Sequence, residues 1–179
     1  MQHVNFEVKA RTSRLGAIRR WLLANHAEFR GVDVQTDTYF HLPESRGRLK
    51  LREGNIENSL IHYRRPDNPE ARVSDVALAP AADPASLKGV LERALGVLTI
   101  VRKKREIYFI GNVKFHLDEL EGIGQFVEIE AIATGSHAGI ETLKEQCLYY
   151  MDAWGIGTGD IAAESYSDMV MRKSDGNPI

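Results

Sequence analysis

The chain has 179 residues, 43% of them hydrophobic and 27% charged, with a net charge of −2. That suits one globular domain with a sizeable core, and it excludes the overall positive excess of a nucleic-acid binder. No apolar run approaches the ~20 residues of a membrane span, and the lone Cys147 excludes an intrachain disulfide or a cysteine-built zinc site. The N-terminus lacks the apolar core of a signal peptide, so the expected location is the cytoplasm, with neither membrane nor nucleic acid as partner.

Residues 3–10 read as a strand, with Val4, Phe6 and Val8 alternating with Asn5, Glu7 and Lys9. A helix follows, capped by Thr12 or Ser13. Leu15, Ile18, Leu22 and Leu23 form its stripe, and its end is expected near Ala27. Residues 33–41 are rich in β-formers and predict a second strand, with Asp33 and Asp37 read as surface groups. In the strand expected over 47–53, Arg48, Lys50 and Arg52 alternate with Leu49 and Leu51. Over 59–65, His62 and Arg64 take one face and Ile61 and Tyr63 the other. A Pro- and Asn-rich turn begins at Arg65, and a further strand is expected over 72–79.

Asp83-Pro84 opens a helix whose stripe is Leu87, Val90, Leu91, Ala94 and Leu95, and Gly96 stops it. Residues 97–110 return to strand, with Lys103 and Arg105 on one face and Arg102 and Lys104 on the other. Residues 113–130 form a hairpin turning at Gly122 and Gly124. Its charged face holds Lys114, His116, Asp118, Glu128 and Glu130. Ser136 is the expected cap of a helix running to about Trp154, with Gly155 in its C′ position. One or two helical turns are expected within 164–171, and residues 173–179 read as a flexible tail.

The strands dominate and come in consecutive runs, which predicts an α+β domain with an antiparallel sheet. An open sheet this long would leave two edges exposed. Closing it into an eight-stranded barrel removes them, turns the apolar faces outward beneath the helices and lines the lumen with charge. The inward cations would be Lys9, Arg48, Lys50, Arg52, Arg64, Lys103 and Arg105, and the inward acids Glu7, Asp118, Glu128 and Glu130. Such a lumen suits a triphosphate with hard divalent cations, since Mg²⁺ or Mn²⁺ takes carboxylate and phosphate oxygens together while Lys and Arg neutralise the rest.

Several segments then resemble one family. They are Asn5-Phe-Glu-Val-Lys9, Leu49-Lys-Leu-Arg52, His62-Tyr-Arg-Arg-Pro66, Val101-Arg-Lys-Lys-Arg-Glu-Ile-Tyr108, His116-Leu-Asp118, Gly122 to Glu130, and Ser165-Tyr-Ser-Asp168. Their order and spacing resemble the CYTH superfamily of triphosphate tunnel metalloenzymes, and within it the class IV adenylate cyclase-like proteins. The resemblance implies a closed or nearly closed antiparallel eight-stranded tunnel with helices packed outside, filling residues 1–172. It implies Mg²⁺ or Mn²⁺ held by Glu7, Asp118, Glu128 and Glu130. Phosphate contacts would come from Lys9, Arg48, Lys50, Arg52, Arg64, Lys103 and Arg105, with Lys103 and Arg105 acting on the reacting phosphates. It also implies a homodimer. Asn5 stands where the family has a first glutamate. The implied activity is conversion of ATP to cyclic AMP and pyrophosphate. The competing readings are hydrolysis of inorganic, thiamine or nucleoside triphosphate, and non-catalytic polyphosphate or nucleotide binding.

Overall fold

The structure, a computed structural model, describes residues 5–64, 75–133 and 139–176. The elements are β1 (Asn5–Arg11), α1 (Leu15–Ala24), β2 (Glu28–Phe40), β3 (Arg48–Glu53), β4 (Ser59–Arg64), β5 (Asp75–Pro80), α2 (Pro84–Leu95), β6 (Val97–Ile110), β7 (Val113–Leu120), β8 (Gly124–Ile132), α3 (Ile140–Ala153) and α4 (Tyr166–Ser174). The strands form one sheet in the order β1-β8-β7-β6-β2-β3-β4-β5. Every neighbouring pair is antiparallel.

The sheet curls strongly. Lys114 on β7 reaches Glu57, in the loop after β3, at 3.3 Å although β6 and β2 lie between their strands. Among the described residues, however, no ladder joins the edge strands β1 and β5. The molecule is therefore a half-barrel rather than the closed barrel the alternation predicts. Part of the β1 edge is covered from outside the sheet: Ile161 bridges to Ala10, and the Ala162 N–H donates to Lys9 O at 2.8 Å.

The convex face behaves as expected on one side. Phe6, Val8 and Ala10 of β1, Phe115 and Leu117 of β7, and Val127 and Ile129 of β8 pack under Leu15, Ile18 and Leu22 of α1, Leu143 and Cys147 of α3, and Trp154 at the C-cap of α3. Burial pushes the Cys147 thiol up to about 12, so it is an inert core group.

Three expectations change. First, α4 packs inside. Tyr166 and Met169 join Tyr39, Val101, Leu120 and Phe126, which share the strand faces of Asp37, Lys103, Asp118 and Glu128, so one helix fills an end of the concavity. Second, α2 contributes no buried side chain, and Val90 is largely exposed. Third, α1 starts at Leu15 with Arg14 as N-cap and no side-chain cap, while Thr12 accepts from the Arg14 N–H one turn early. The α2 start is as expected, with the Asp83 carboxylate accepting from Ser86 N at 3.1 Å and Pro84 opening the helix. Gly155 follows α3 at φ +60°, a left-handed position that glycine occupies without strain. The Ser136 cap, the Arg65 turn and the start of the 72–79 strand lie outside the described residues.

Candidate active site in the half-barrel

A cavity of about 550 Å³ opens on the concave face, lined from all eight strands. Its acidic wall is set by the β1–β8 register. Glu7 stands directly opposite Glu130, and Lys9 opposite Glu128. Directly opposed residues place their Cβ atoms about 4.5–5.5 Å apart, and like charges there repel. Asn5 eases this, donating from Nδ2 to Glu130 Oε1 at 2.5 Å. A third carboxylate at position 5 would have added to the repulsion.

Glu128 is held differently. Its Oε2 accepts from Arg105 Nη2 at 2.7 Å and lies 3.1 Å from His116 Nδ1. Burial pushes its carboxyl up, but Arg105 and then His116 outweigh this and hold it well below the usual range. Burial, then the Arg105 charge, lowers His116 to about 4 against the pull of Glu128. The imidazole is thus neutral at pH 7, with its Nδ1 proton toward Glu128. Its Nε2 is buried and unpartnered among the described residues.

Asp118 stands apart from the other three residues expected to hold the metal. It is fully buried and lies outside the cavity lining. It takes Arg105 bidentately, from Nε at 2.7 Å and Nη2 at 2.5 Å, and also accepts from the Tyr166 hydroxyl at 2.8 Å. Arg105 is therefore fixed in place by Asp118 and Glu128. These bonds engage its Nε and Nη2, and the residue also lines the cavity.

The basic wall is organised by an acid that the sequence reading put on the surface. Asp37 is buried and binds Lys50 at 2.9 Å, Lys103 at 2.8 Å and Arg52 through both of its own oxygens. Burial raises its carboxyl, but Lys103, Lys50 and Arg52 together hold it well below the usual range. Lys103 is pushed down to about 7, by burial first and then by the charges of Arg52, Arg105 and Lys50, with Asp37 opposing. Lys103 lies behind the cavity wall rather than on it. Lys50 and Arg52 do line it, and Arg52 also bridges to Glu57 at 2.9 Å.

The remaining expected phosphate contacts divide. Lys9 lines the cavity, donating to Glu164 O at 2.5 Å and lying 4.5 Å from the Tyr166 ring centre. Arg48 is turned to α4, bonding Ser165 Oγ at 2.8 Å, Ser167 Oγ at 2.7 Å and Asp168 at 2.7 Å. Arg64 is exposed on the outer face, because Ile61 pairs with Lys50 and so takes the inward direction. His62 shares that outer face, with Nε2 against Arg46 O. Sequence reading missed Asp37, Glu57 and Lys114 as site groups. The alternation of Asp33, Gln35 and Asp37 carried a signal for the first; Glu57 sits in a loop, where no period exists.

Among the described residues, no three His, Cys, Asp or Glu side chains converge to hold a metal by themselves. The donor set still fits a hard cation. Mg²⁺ is commonly bound by one or two carboxylates and completed by substrate phosphates and water. Glu7 and Glu130, opposed across one ladder on the cavity wall, supply that pair, and the Asn5 amide beside Glu130 is a further oxygen donor. No helix is long and apolar enough to cross a membrane among the described residues.

The comparisons with known proteins agree with this architecture. The CYTH domain profile matches residues 3–166. The adenylate cyclase CyaB of Aeromonas hydrophila is 31% identical over 169 residues, covering 89% of this chain and 85% of that protein. The solved PH1012 protein of Pyrococcus horikoshii superposes with a TM-score of 0.80 at 25% identity, over 93% of this chain and 98% of that one. A Hippeastrum protein described as having a dominant triphosphatase activity shares the fold at 19% identity and a TM-score of 0.64, over 99% of this chain and 97% of its own. The chain belongs to the CYTH domain family, and with it to a group of adenylate cyclase-like and triphosphatase enzymes.

Proposed function

We propose that the half-barrel binds a triphosphate together with Mg²⁺ or Mn²⁺, and that the leading activity is conversion of ATP to cyclic AMP and pyrophosphate. The observation that carries this is the pairing of Glu7 with Glu130 on one wall of a cavity whose other wall presents Lys50 and Arg52. A bound cation, held by Glu7 and Glu130 with the Asn5 amide nearby, would neutralise phosphate charge and polarise the reacting P–O bonds. The chain's own groups do the rest. Arg105, immobilised by Asp118 and Glu128 on the cavity wall, meets a phosphate oxygen without reorganising. Lys50 and Arg52 neutralise the outer phosphates, and Asp37 holds both in place. Lys103 acts through Asp37 as a positioning residue. In the cyclase reaction the ribose 3′-oxygen attacks the α-phosphorus. The bond from that phosphorus to the bridging oxygen breaks, pyrophosphate leaves, and the 3′-hydroxyl gives up its proton.

The relative most alike in sequence among those named is called an adenylate cyclase, which favours this reaction over hydrolysis. In hydrolysis the same residues would serve, with water as the nucleophile. Incubation with ATP and Mn²⁺ followed by product analysis tests the choice. Cyclic AMP and pyrophosphate in equal amounts are expected. Glu130→Gln and Arg105→Lys should each lower turnover by about 100-fold or more. Orthophosphate alone would establish the triphosphatase, and no turnover with intact binding would establish a non-catalytic binder.

A further inference from the structure

One carboxylate on the cavity wall bridges two cations in the way a phosphate group would. Glu57, from the loop after β3, places its Oε2 2.9 Å from Arg52 Nη1 on β3 and its Oε1 3.3 Å from Lys114 Nζ on β7. All three side chains line the cavity. Burial pushes the Glu57 carboxyl up, but Lys114, then Arg52 and His116, outweigh this and bring it down to about 2. The group is therefore a full anion at neutral pH, and its side chain is still 31% exposed.

The loop and Arg52 are each held in place without this bridge. Asp33, fully buried, grips the loop by its backbone: Oδ1 accepts from Ile56 N at 2.9 Å and Oδ2 from Glu57 N at 3.1 Å. A Cβ on Gly54 would lie 2.5 Å from the same carboxylate, so glycine is what lets the loop seat there. Asn55 adds bonds to Val32 O and Val34 N. Asp37 fixes Arg52 through Nε at 2.9 Å and Nη2 at 3.1 Å, and the third nitrogen, Nη1, is the one Glu57 holds. The Glu57 side chain can thus rotate away while the loop backbone and the guanidinium stay put. A phosphate group carries more charge than a carboxylate and three acceptor oxygens, so it can replace Glu57 on the same two cations.

We propose that Glu57 is a built-in competitor for the triphosphate: its carboxylate and a phosphate group take turns on Arg52 Nη1 and Lys114 Nζ. Glu57 then sets selectivity by charge, because only a ligand anion strong enough to displace a carboxylate gains both cations. It also favours release, because the carboxylate returns as the ligand leaves. This rests on the phosphate-binding reading of the same cavity.

Calorimetric titration of inorganic tripolyphosphate with Mg²⁺ tests it, in the wild type, Glu57→Gln, Lys114→Met and the double variant. Glu57 and Lys114 are partly exposed, and thermal melts verify that the variants fold. Glu57→Gln should bind about tenfold more tightly than the wild type, whereas Glu119→Gln, an exposed charge outside this cavity, should change affinity by less than about twofold. Glu57→Asp, which draws the carboxylate back by one methylene, should tighten binding by a smaller factor. Lys114→Met should cost less than about threefold in the wild type, where phosphate merely replaces Glu57 on the lysine, and about tenfold in Glu57→Gln. Unchanged or weaker binding by Glu57→Gln would make Glu57 a fixed strut or a positioning group and overturn the proposal. So would an equal cost of Lys114→Met in both backgrounds. If tripolyphosphate binds none of these proteins, the phosphate reading itself fails, and the competitor with it.

Discussion

At the residue scale, Asp37 is the pivot of the basic wall. One carboxylate, 1% exposed, is shared by two lysines and an arginine. Breaking a buried ion network from one side leaves uncompensated charge, which costs far more than an exposed pair is worth. Asp37→Asn keeps the shape and removes the charge. It should destabilise the protein by about 3–5 kcal/mol in urea unfolding, whereas Arg64→Ala, on the outer face, should change stability by less than about 0.5 kcal/mol. Equal, small effects would remove Asp37 from its role. The sequence shows Asp33, Gln35 and Asp37 at alternate positions, but alternation names two faces without saying which is inside. The burial of Asp37 comes from its neighbours β3 and β6, whose lysines and arginine lie distant in sequence.

The same limit operates at the scale of the element. In β4 the period of two was legible, yet its phase was reversed. Five residues separate β3 from a partner strand of only six, and the pairing of Lys50 with Ile61 turns Ile61 and Tyr63 inward and Arg64 outward. A one-residue slip would have exchanged the faces. Strands β1, β3, β6, β7 and β8 keep the expected phase, with Lys9, Lys50, Arg105, His116 and Glu128 facing the cavity. The position of α4 was not legible at all. Its nine residues, beginning Tyr-Ser-Asp, give a capping signal but no instruction to enter the concavity. What fixes it there is tertiary: Ser165 caps the helix at Asp168 N while receiving Arg48 from β3, and Tyr166 donates to Asp118. Ser165→Ala should cost about 1–2 kcal/mol. Hydrogen exchange should then quicken in α4 before the central strands, since a locally held element opens ahead of the sheet. Uniform acceleration across the sheet would mean that α4 is not a separate unit.

For the whole molecule, the sequence carried the eight strands, their antiparallel run and most of the charged concave face. It overstated closure, because the avoidance of edges is a tendency and β1 is instead covered partly by residues 161–162. The buried charges have a collective signature in pH. His116 is lowered from 6.5 to about 4, so the unfolded chain takes up its proton first. Stability should fall by about 3 kcal/mol as pH drops from 6.5 to 4. Asp37 and Glu128, held below 3.8 and 4.5, contribute stability above those values and lose it as pH falls further. Lys103, lowered from 10.5 to about 7, works on the other branch: the unfolded chain binds the extra proton there, so stability should rise between pH 7 and 10.5. Urea midpoints of the metal-free protein against pH would trace this curve, and His116→Gln should flatten its 6.5-to-4 segment. A profile flat from pH 7 down to 4 would contradict the burial assigned to His116.

In the proposed function, opposed carboxylates and a basic wall together hold a triphosphate with its cation. Calorimetric titration of ATP into the protein, in Mg²⁺ and again in EDTA, tests it most directly. Saturable binding is expected in Mg²⁺, weaker by about 100-fold in EDTA, with most of that difference lost in Glu130→Gln. No saturable heat in either buffer, or an affinity indifferent to Mg²⁺ and to Glu130, would contradict it.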